Sequence, residues 1–239
     1  MRDAGKITGE AILAAGEMIK PGVTTAQIDH VIRTYIEKCG ATPTFLGYGG
    51  FPASACVSVN DEVIHGIPSH KRVLAEGDIV KIDVGACYRG FNGDSARTFA
   101  VGKVSDEAAK LIRVTEESFY AALAVIREGA RIGDIGHAVE SHCKANGWSV
   151  VRRYVGHGVG AELHEDPEIP NFGTPGRGVR LVRGMTIAVE PMVNVGSGDV
   201  YEMPDGWTVK TKDGGLSAHY EHTIAITDNG PELLTKVGQ

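Results

Sequence analysis

The stretch DIVKIDVGACYRGFNGDSARTF, from Asp78 to Phe99, reads as two β-strands joined by a tight turn. Each strand carries an aspartate where a core residue would serve. A turn centred on Tyr88 and Arg89 sets Asp83 directly opposite Asp94. Opposed residues on one face of an antiparallel pair have Cβ atoms about 4.5 to 5.5 Å apart, and like charges there destabilise the sheet. At an effective dielectric near about 20, the repulsion is of order 3 to 4 kcal/mol. Something positive must offset it. Lys81 and Arg97 are candidates on the same strands, and a divalent metal ion is a stronger one.

Working outward, apolar residues from Ala4 to Met18 recur at helical spacing until Lys20-Pro21-Gly22 stops them. A second helix opens near Thr24 or Thr25 and ends at Gly40. Past the hairpin, Ser105 begins a helix reaching about Arg127, and a shorter one spans Ile132 to Asn146. The two helical pairs are related. A constant shift of 107 positions lays Ile19 to Gly40 on Ile126 to Gly147 without gaps, pairing Gly22 with Gly129 and Gly40 with Gly147. The same shift takes Gly77 to Gly184 and Asp83 to Glu190. The expectation is an α+β fold in a single catalytic domain over residues 1–239, with an internal repeat at roughly 1–104 and 105–239 whose halves meet at one site.

The second half supplies more acids. Met185 to Val193 and His219 to Thr227 read as β-branched strands, each interrupted by one glutamate, Glu190 and Glu221. Acids are almost never fully buried without a partner. Between them lies YVGHGVGAELHEDPEIPN, with His157 flanked by glycines and His164 ahead of a proline-rich loop. Asp83, Asp94, His157, Glu190 and Glu221 together offer four negative charges and one imidazole, enough for two divalent cations. Oxygen-rich ligation with one nitrogen suits Mn²⁺, Fe²⁺, Co²⁺ or Zn²⁺. Two such ions can share a hydroxide and polarise a carbonyl, which is the chemistry of amide hydrolysis.

Other features point nowhere comparable. Net charge of −6 and a pI near 5.8 give no basic surface for nucleic acid or membrane. The four cysteines show neither CxxC spacing nor scaffold density, which fits a reducing cytoplasm. No apolar run is long enough for a signal peptide or a membrane span. The Gly156 to Gly160 run lacks the spacing of a nucleotide-binding loop, and Cys56 with His65 lacks any local cue for a nucleophilic thiol. His30 and His137 lie on amphipathic helices and are given no role.

The segments GYGGFPASACVSVNDEVIHGIP (Gly47 to Pro68), DVGACYRGFNGDSARTF, YVGHGVGAELHEDPEIPN, MTIAVEPM and DGWTVKTKDGGLSAHYEHTIAIT (Asp205 to Thr227) resemble the type I methionine aminopeptidases across essentially the whole chain. The resemblance implies a pita-bread fold, two pseudo-symmetric α+β halves with a curved antiparallel sheet around a dinuclear metal site. It implies that Asp94 and Glu221 bridge both metals, that Asp83 chelates one, and that His157 with Glu190 completes the other. It makes His65 and His164 catalytic neighbours of the scissile peptide, with Glu190 as general base and acid. Tyr48, Phe51, Cys56, His65, Leu163, His164 and Trp207 would line the methionine pocket, and Asn60 with Ser217 would match a monovalent site for Na⁺ or K⁺. Relatives usually carry a short segment before the first helix, so a natural start upstream of Met1 is expected. Neither a zinc-finger extension nor the large insertion of type II enzymes is expected.

The function so implied is a cytoplasmic, monomeric metalloaminopeptidase that removes the initiator methionine from nascent peptides by metal-hydroxide attack on the methionine carbonyl, with transient ribosome contact. The rival readings are a prolidase or X-Pro aminopeptidase, whose members generally carry a large additional N-terminal domain, and a non-catalytic binding module of the same fold.

Overall fold

A computed structural model describes residues 1–238. The first half contains α1 (Arg2–Gly16), α2 (Thr25–Lys38), β1 (Thr42–Pro43), β2 (Ala55–Val59), β3 (Glu62–Ile64), β4 (Ile79–Tyr88) and β5 (Phe91–Ala100). The second contains α3 (Asp106–Leu123), α4 (Ile132–Ala145), β6 (Ser149–Val150), β7 (Gly156–Gly158), β8 (Glu165–Ile169), β9 (Thr186–Val189), β10 (Met192–Asn194), β11 (Val200–Glu202), β12 (Val209–Thr211), β13 (Ser217–His219), β14 (His222–Thr227) and β15 (Gly230–Leu233). Each half has its own core. Ile28, Ile32, Ile36, Val80, Ile82 and Val84 pack together in the first, and Leu111, Phe119, Ile135, Val139, Ile187 and Ile224 in the second.

Caps set the helix starts. Thr24 and Gln27 close a capping box on α2, with Thr24 N donating to Gln27 Oε1 at 2.9 Å. Ser105 Oγ accepts from Ala108 N at the start of α3. That helix ends at Leu123, short of the expected Arg127. Val125 N bonds Ala122 O and Ile126 N bonds Leu123 O. This tighter winding turns Ile126 into the core, where it is 3% exposed.

The repeat has a backbone counterpart. Gly22 N donates to Leu74 O at 2.8 Å, and Gly129 N to Leu181 O at 2.9 Å. Leu74 N returns a bond to Val23 O, as Leu181 N does to Ala130 O. Isolated bridges join Thr24 to Val73 and Arg131 to Arg180. Every one of these pairs is related by the 107-position shift. Gly22 and Gly129 have φ of 91° and 85°, a region that L side chains rarely adopt.

All strand pairs are antiparallel, in sheets ordered β1-β4-β2 with β5 on β4, β13-β10-β6, β11-β12-β3 and β15-β14-β9-β7-β8. The decisive hairpin differs from the expected register. Tyr88 pairs with Phe91, so the turn residues are Arg89 and Gly90, Asp83 faces Ala96, and Asp94 faces Gly85. Both turn residues have positive φ, 52° and 79°, as a twist-matched two-residue turn requires. Centring the turn on Tyr88 would force an aromatic residue into that conformation and leave Gly90 outside it. The two aspartates are therefore diagonal neighbours on one face rather than directly opposed, still within mutual influence.

Two further expectations change. The stretch from Met185 to Val193 is two strands broken at Glu190-Pro191, and that from His219 to Thr227 is divided at Tyr220-Glu221. The residues after His164 form edge strand β8, where Pro167 lacks a donor that no neighbour needs.

Helix α1 crosses β5 at close range. A Cβ at Gly93 would lie 2.7 Å from Gly5 Cα, and Thr8 Oγ1 donates to Gly93 O at 3.1 Å. Gly93→Ala should force α1 away from the strand that carries Asp94. We expect a loss of about 1 to 3 kcal/mol, measured as a lower urea midpoint at unchanged m-value. A midpoint equal to that of the parent would show that α1 yields freely.

Candidate metal centre

Asp83 projects from β4 and Asp94 from β5, whereas Glu190 and Glu221 sit at the breaks between strands. A strand break frees a backbone from its ladder and lets the side chain turn toward a neighbouring sheet. Bonds between the halves fix where they meet. Glu221 N donates to Ala96 O at 2.9 Å, and Ser95 Oγ donates to Glu221 O at 2.6 Å. Asp94 N donates to Thr223 Oγ1, which in turn donates to Asp94 O at 2.8 Å. Asp94 and Glu221 are thereby brought together from opposite halves. Neither is more than 4% exposed.

All five sequence-selected residues line one cavity of about 200 Å³. Ligand atoms of Asp94, His157 and Glu221 lie within 4.8 Å of one another. Glu190 Oε1 stands 3.5 Å from His157 Nε2, and Asp94 Oδ2 stands 3.6 Å from it. Asp83 completes the wall beside Cys56, its cross-strand partner on β2.

Charge is the governing problem of this cavity. Burial raises Asp83 well above the usual carboxylate range, and the charge of Asp94 adds to it, against an opposing bond from Val84 N. Burial likewise pushes Asp94 up to about 7, opposed by Ser95 N. Glu190 and Glu221 are raised by burial first and then by the neighbouring acids. Oxygens Asp83 Oδ1, Asp94 Oδ1 and Glu221 Oε1 are buried without a hydrogen-bond partner among the described residues. Buried polar atoms are almost always paired, so these oxygens call for a ligand.

The imidazole fits the same demand. His157 Nδ1 lies 2.8 Å from Gly158 O, and a carbonyl can only accept, so Nδ1 carries the hydrogen. Burial lowers His157 to about 4, which leaves Nε2 with a free lone pair directed at two carboxylates. Lone pair against carboxylate is repulsive, and a cation between them makes both favourable. The donor set of four carboxylates and one imidazole nitrogen therefore fits divalent metal.

Next to the acids lies an apolar wall. Phe51, Cys56 and Leu163 are buried together with Phe45, which the sequence reading missed, and Trp207 packs against them. Its signal was slight, a single phenylalanine ahead of a glycine-rich turn. Phe51 and Trp207 meet edge to face at 5.1 Å between centroids. Burial raises the Cys56 thiol far from reactivity. His65 adopts a left-handed backbone with φ of 58°, packs edge-on to Tyr154, another residue not anticipated, and is lowered to about 4 by burial and then by the charge of His164. The His164 ring lies 4.3 Å from that of His157, and its Nδ1 is 2.6 Å from the Tyr48 hydroxyl. With the phenol donating, Nε2 of His164 carries the ring hydrogen. Asn60 and Ser217 lie outside this cavity, where their carbonyls both accept from Lys81 Nζ. Neither Lys81 nor Arg97 neutralises the acids: Arg97 instead lies over the Tyr220 ring.

The fold and this acid-lined cavity are those of a metallopeptidase. Residues 1–228 match the model of metallopeptidase family M24, and the chain belongs to that family. It is 56% identical over 235 residues to the methionine aminopeptidase of Clostridium acetobutylicum, covering 98% of this chain and 94% of that protein. Among solved structures, the methionine aminopeptidase of Thermotoga maritima superposes with a TM-score of 0.98 at 48% identity, covering 99% of this chain and 95% of the other. The prolidase of Pyrococcus furiosus shares the pita-bread fold at a TM-score of 0.77 and 24% identity, with 63% of its chain covered.

Chelation of the purified protein should lower its melting temperature, because an ion bound only to the native state stabilises by mass action. Asp94→Asn removes one of the repelling charges, so the chelated variant should melt above the chelated parent and gain less when Co²⁺ or Mn²⁺ is added. Calorimetry of both proteins with and without metal checks this. Equal metal-dependent gains would exclude Asp94 from the site.

Proposed function

We propose that this chain is a methionine aminopeptidase, a single catalytic unit over residues 1–239 that removes the initiator methionine from nascent polypeptides. One observation carries the reading: the acid cavity and the apolar wall of Phe45, Phe51, Cys56, Leu163 and Trp207 are one continuous space. A side chain held by that wall would present its own carbonyl to the acids. The high identity to named methionine aminopeptidases supports the same substrate.

Asp83, Asp94, His157, Glu190 and Glu221 would hold two divalent ions, drawn from Co²⁺, Mn²⁺, Fe²⁺ or Zn²⁺. When bound, these ions supply Lewis-acid polarisation of the peptide carbonyl and acidify an attacking water. Glu190 takes the proton of that water and returns it to the leaving amine. His164, carrying hydrogen on Nε2 and held by Tyr48, donates to the oxyanion as charge develops. His65, kept neutral by burial, borders the scissile peptide between Tyr154 and Trp207. The same negative cavity would attract the free α-amino group of the substrate, which limits attack to chain ends.

We place the protein in the cytoplasm as a monomer, in transient contact with the ribosome where nascent chains emerge. In support of a place away from the membrane, no described helix is long and apolar enough to cross one.

His164→Ala should leave metal content unchanged and lower kcat and kcat/KM together by about 10²-fold or more. A rise in KM alone would reduce His164 to a binding role. A series of peptides tests the substrate. The pocket gains from thioether contacts with aromatic rings, about 0.3 to 1.5 kcal/mol each, and loses about 0.8 kcal/mol per missing methylene. Met-Ala-Ser should therefore be cleaved far faster than Ala-Ala-Ser, with norleucine tolerated in place of methionine. Faster cleavage of Ala-Pro-Ser than of Met-Ala-Ser would overturn this reading in favour of a prolidase-like activity.

A further inference from the structure

Lys81 is among the largest fully buried side chains, only 1% exposed, and it takes no part in the acid cavity two residues away. Its Nζ donates to Asn60 O at 2.7 Å and to Ser217 O at 3.0 Å. These are the two residues for which the sequence reading expected a sodium or potassium ion. The residues present do not fit one. Asn60 O already accepts from Ser217 N at 3.1 Å, so with Lys81 both of its lone pairs are used. The Asn60 side chain is committed as well, Nδ2 donating to Asp78 Oδ1 at 2.8 Å and Oδ1 accepting from Ile79 N at 3.0 Å. Of the expected donors there remains the buried hydroxyl of Ser217, unpartnered among the described residues, and one hydroxyl does not make a cation site.

We infer that the Lys81 amine is a built-in cation, filling the place between Asn60 and Ser217 that a monovalent ion would take, so that this junction of the two halves needs neither Na⁺ nor K⁺. Three segments converge on that nitrogen: β4, which carries Asp83; the turn between β2 and β3, which leads to His65; and β13, which leads to Glu221. A buried amine with no carboxylate partner among the described residues is costly, and here its bonds to the carbonyls of Asn60 and Ser217 offset part of the cost. Burial lowers the amine to about 7; Glu62, Asp61 and Asp78 oppose that fall and Arg72 adds to it, so its role rests on the two short bonds to carbonyls and not on its titration. Lys81 is thus a positioning residue, acting on the metal site through the backbone that presents it. The inference stands on Lys81 alone and is independent of which peptide is cleaved.

Thermal unfolding of the metal-loaded protein in KCl, NaCl and tetramethylammonium chloride at matched ionic strength tests it, because the last cation is too large to enter the site. The parent protein should melt within about 1 °C in all three salts, given that about 1 kcal/mol shifts Tm by roughly 2 to 4 °C in a chain of this size. Lys81→Met keeps the stem and loses the donor, so it should melt lower in every salt. Lys81→Ser opens the space: its Tm in KCl or NaCl should exceed that in tetramethylammonium by about 3 °C or more and saturate with concentration. Its divalent-metal affinity, followed by calorimetric titration, should recover with the alkali ion. A saturable, K⁺- or Na⁺-specific gain in the parent protein overturns the inference. So does a Lys81→Met variant as stable as the parent, or a folded Lys81→Ser that is indifferent to salt identity. Should Lys81→Ser not fold in any salt, the parent and Lys81→Met measurements decide.

Discussion

Four carboxylates crowded into one buried cavity repel one another, and the rest of the structure is arranged to hold them there. Burial raises all four acids, and neighbouring charge adds to it at Asp83, Glu190 and Glu221, so the polypeptide by itself gains nothing from the arrangement. Three of the carboxylate oxygens have no partner among the described residues, and the neutral His157 nitrogen points its lone pair into the same space. Such a cavity persists because the surrounding cores are stable enough to bear it, and because a bound cation reverses the sign of its electrostatics.

The bearing structure is duplicated. Each half closes its helical pair against its own sheet with the same exchange of backbone bonds, Gly22 to Leu74 in one and Gly129 to Leu181 in the other. The halves then join through β5 and the start of β14, where Glu221 pairs with Ala96 and Thr223 clasps both backbone groups of Asp94. Hydrogen bonding of main chain, rather than attraction between side chains, therefore sets the spacing of the acids. Lys81 adds a second tie of the same kind, from a side chain to the carbonyls of both halves.

Selectivity has a different physical origin from reactivity in this site. The apolar wall is buried and closed by aromatic contacts such as that of Phe51 with Trp207. The polar wall is pre-set by bonds to backbone and by the Tyr48–His164 contact. On the function proposed above, a substrate end that satisfied both walls would carry a long apolar side chain beside a free amine, which would join specificity to the position of the scissile bond.

Much of this was legible in the chain itself. Acids placed inside β-branched strands cannot be ordinary core residues, so Asp83, Asp94, Glu190 and Glu221 stand out from composition and pattern alone. The 107-position repeat is visible because both halves must solve the same packing problem with similar glycines. The hairpin register was not read correctly, since it depends on which residues accept positive φ, and Arg89 with Gly90 takes the turn that Tyr88 could not. The breaks at Glu190 and Glu221 were hidden too. A strand ends where its neighbour in another sheet stops pairing with it, and that is a fact of assembly rather than of local propensity. Phe45 joins the pocket and Lys81 leaves the acids for a similar reason: Leu163 and Trp207 beside the one, and the Ser217 carbonyl bonded to the other, come from the second half and are brought near only when the two halves fold against each other.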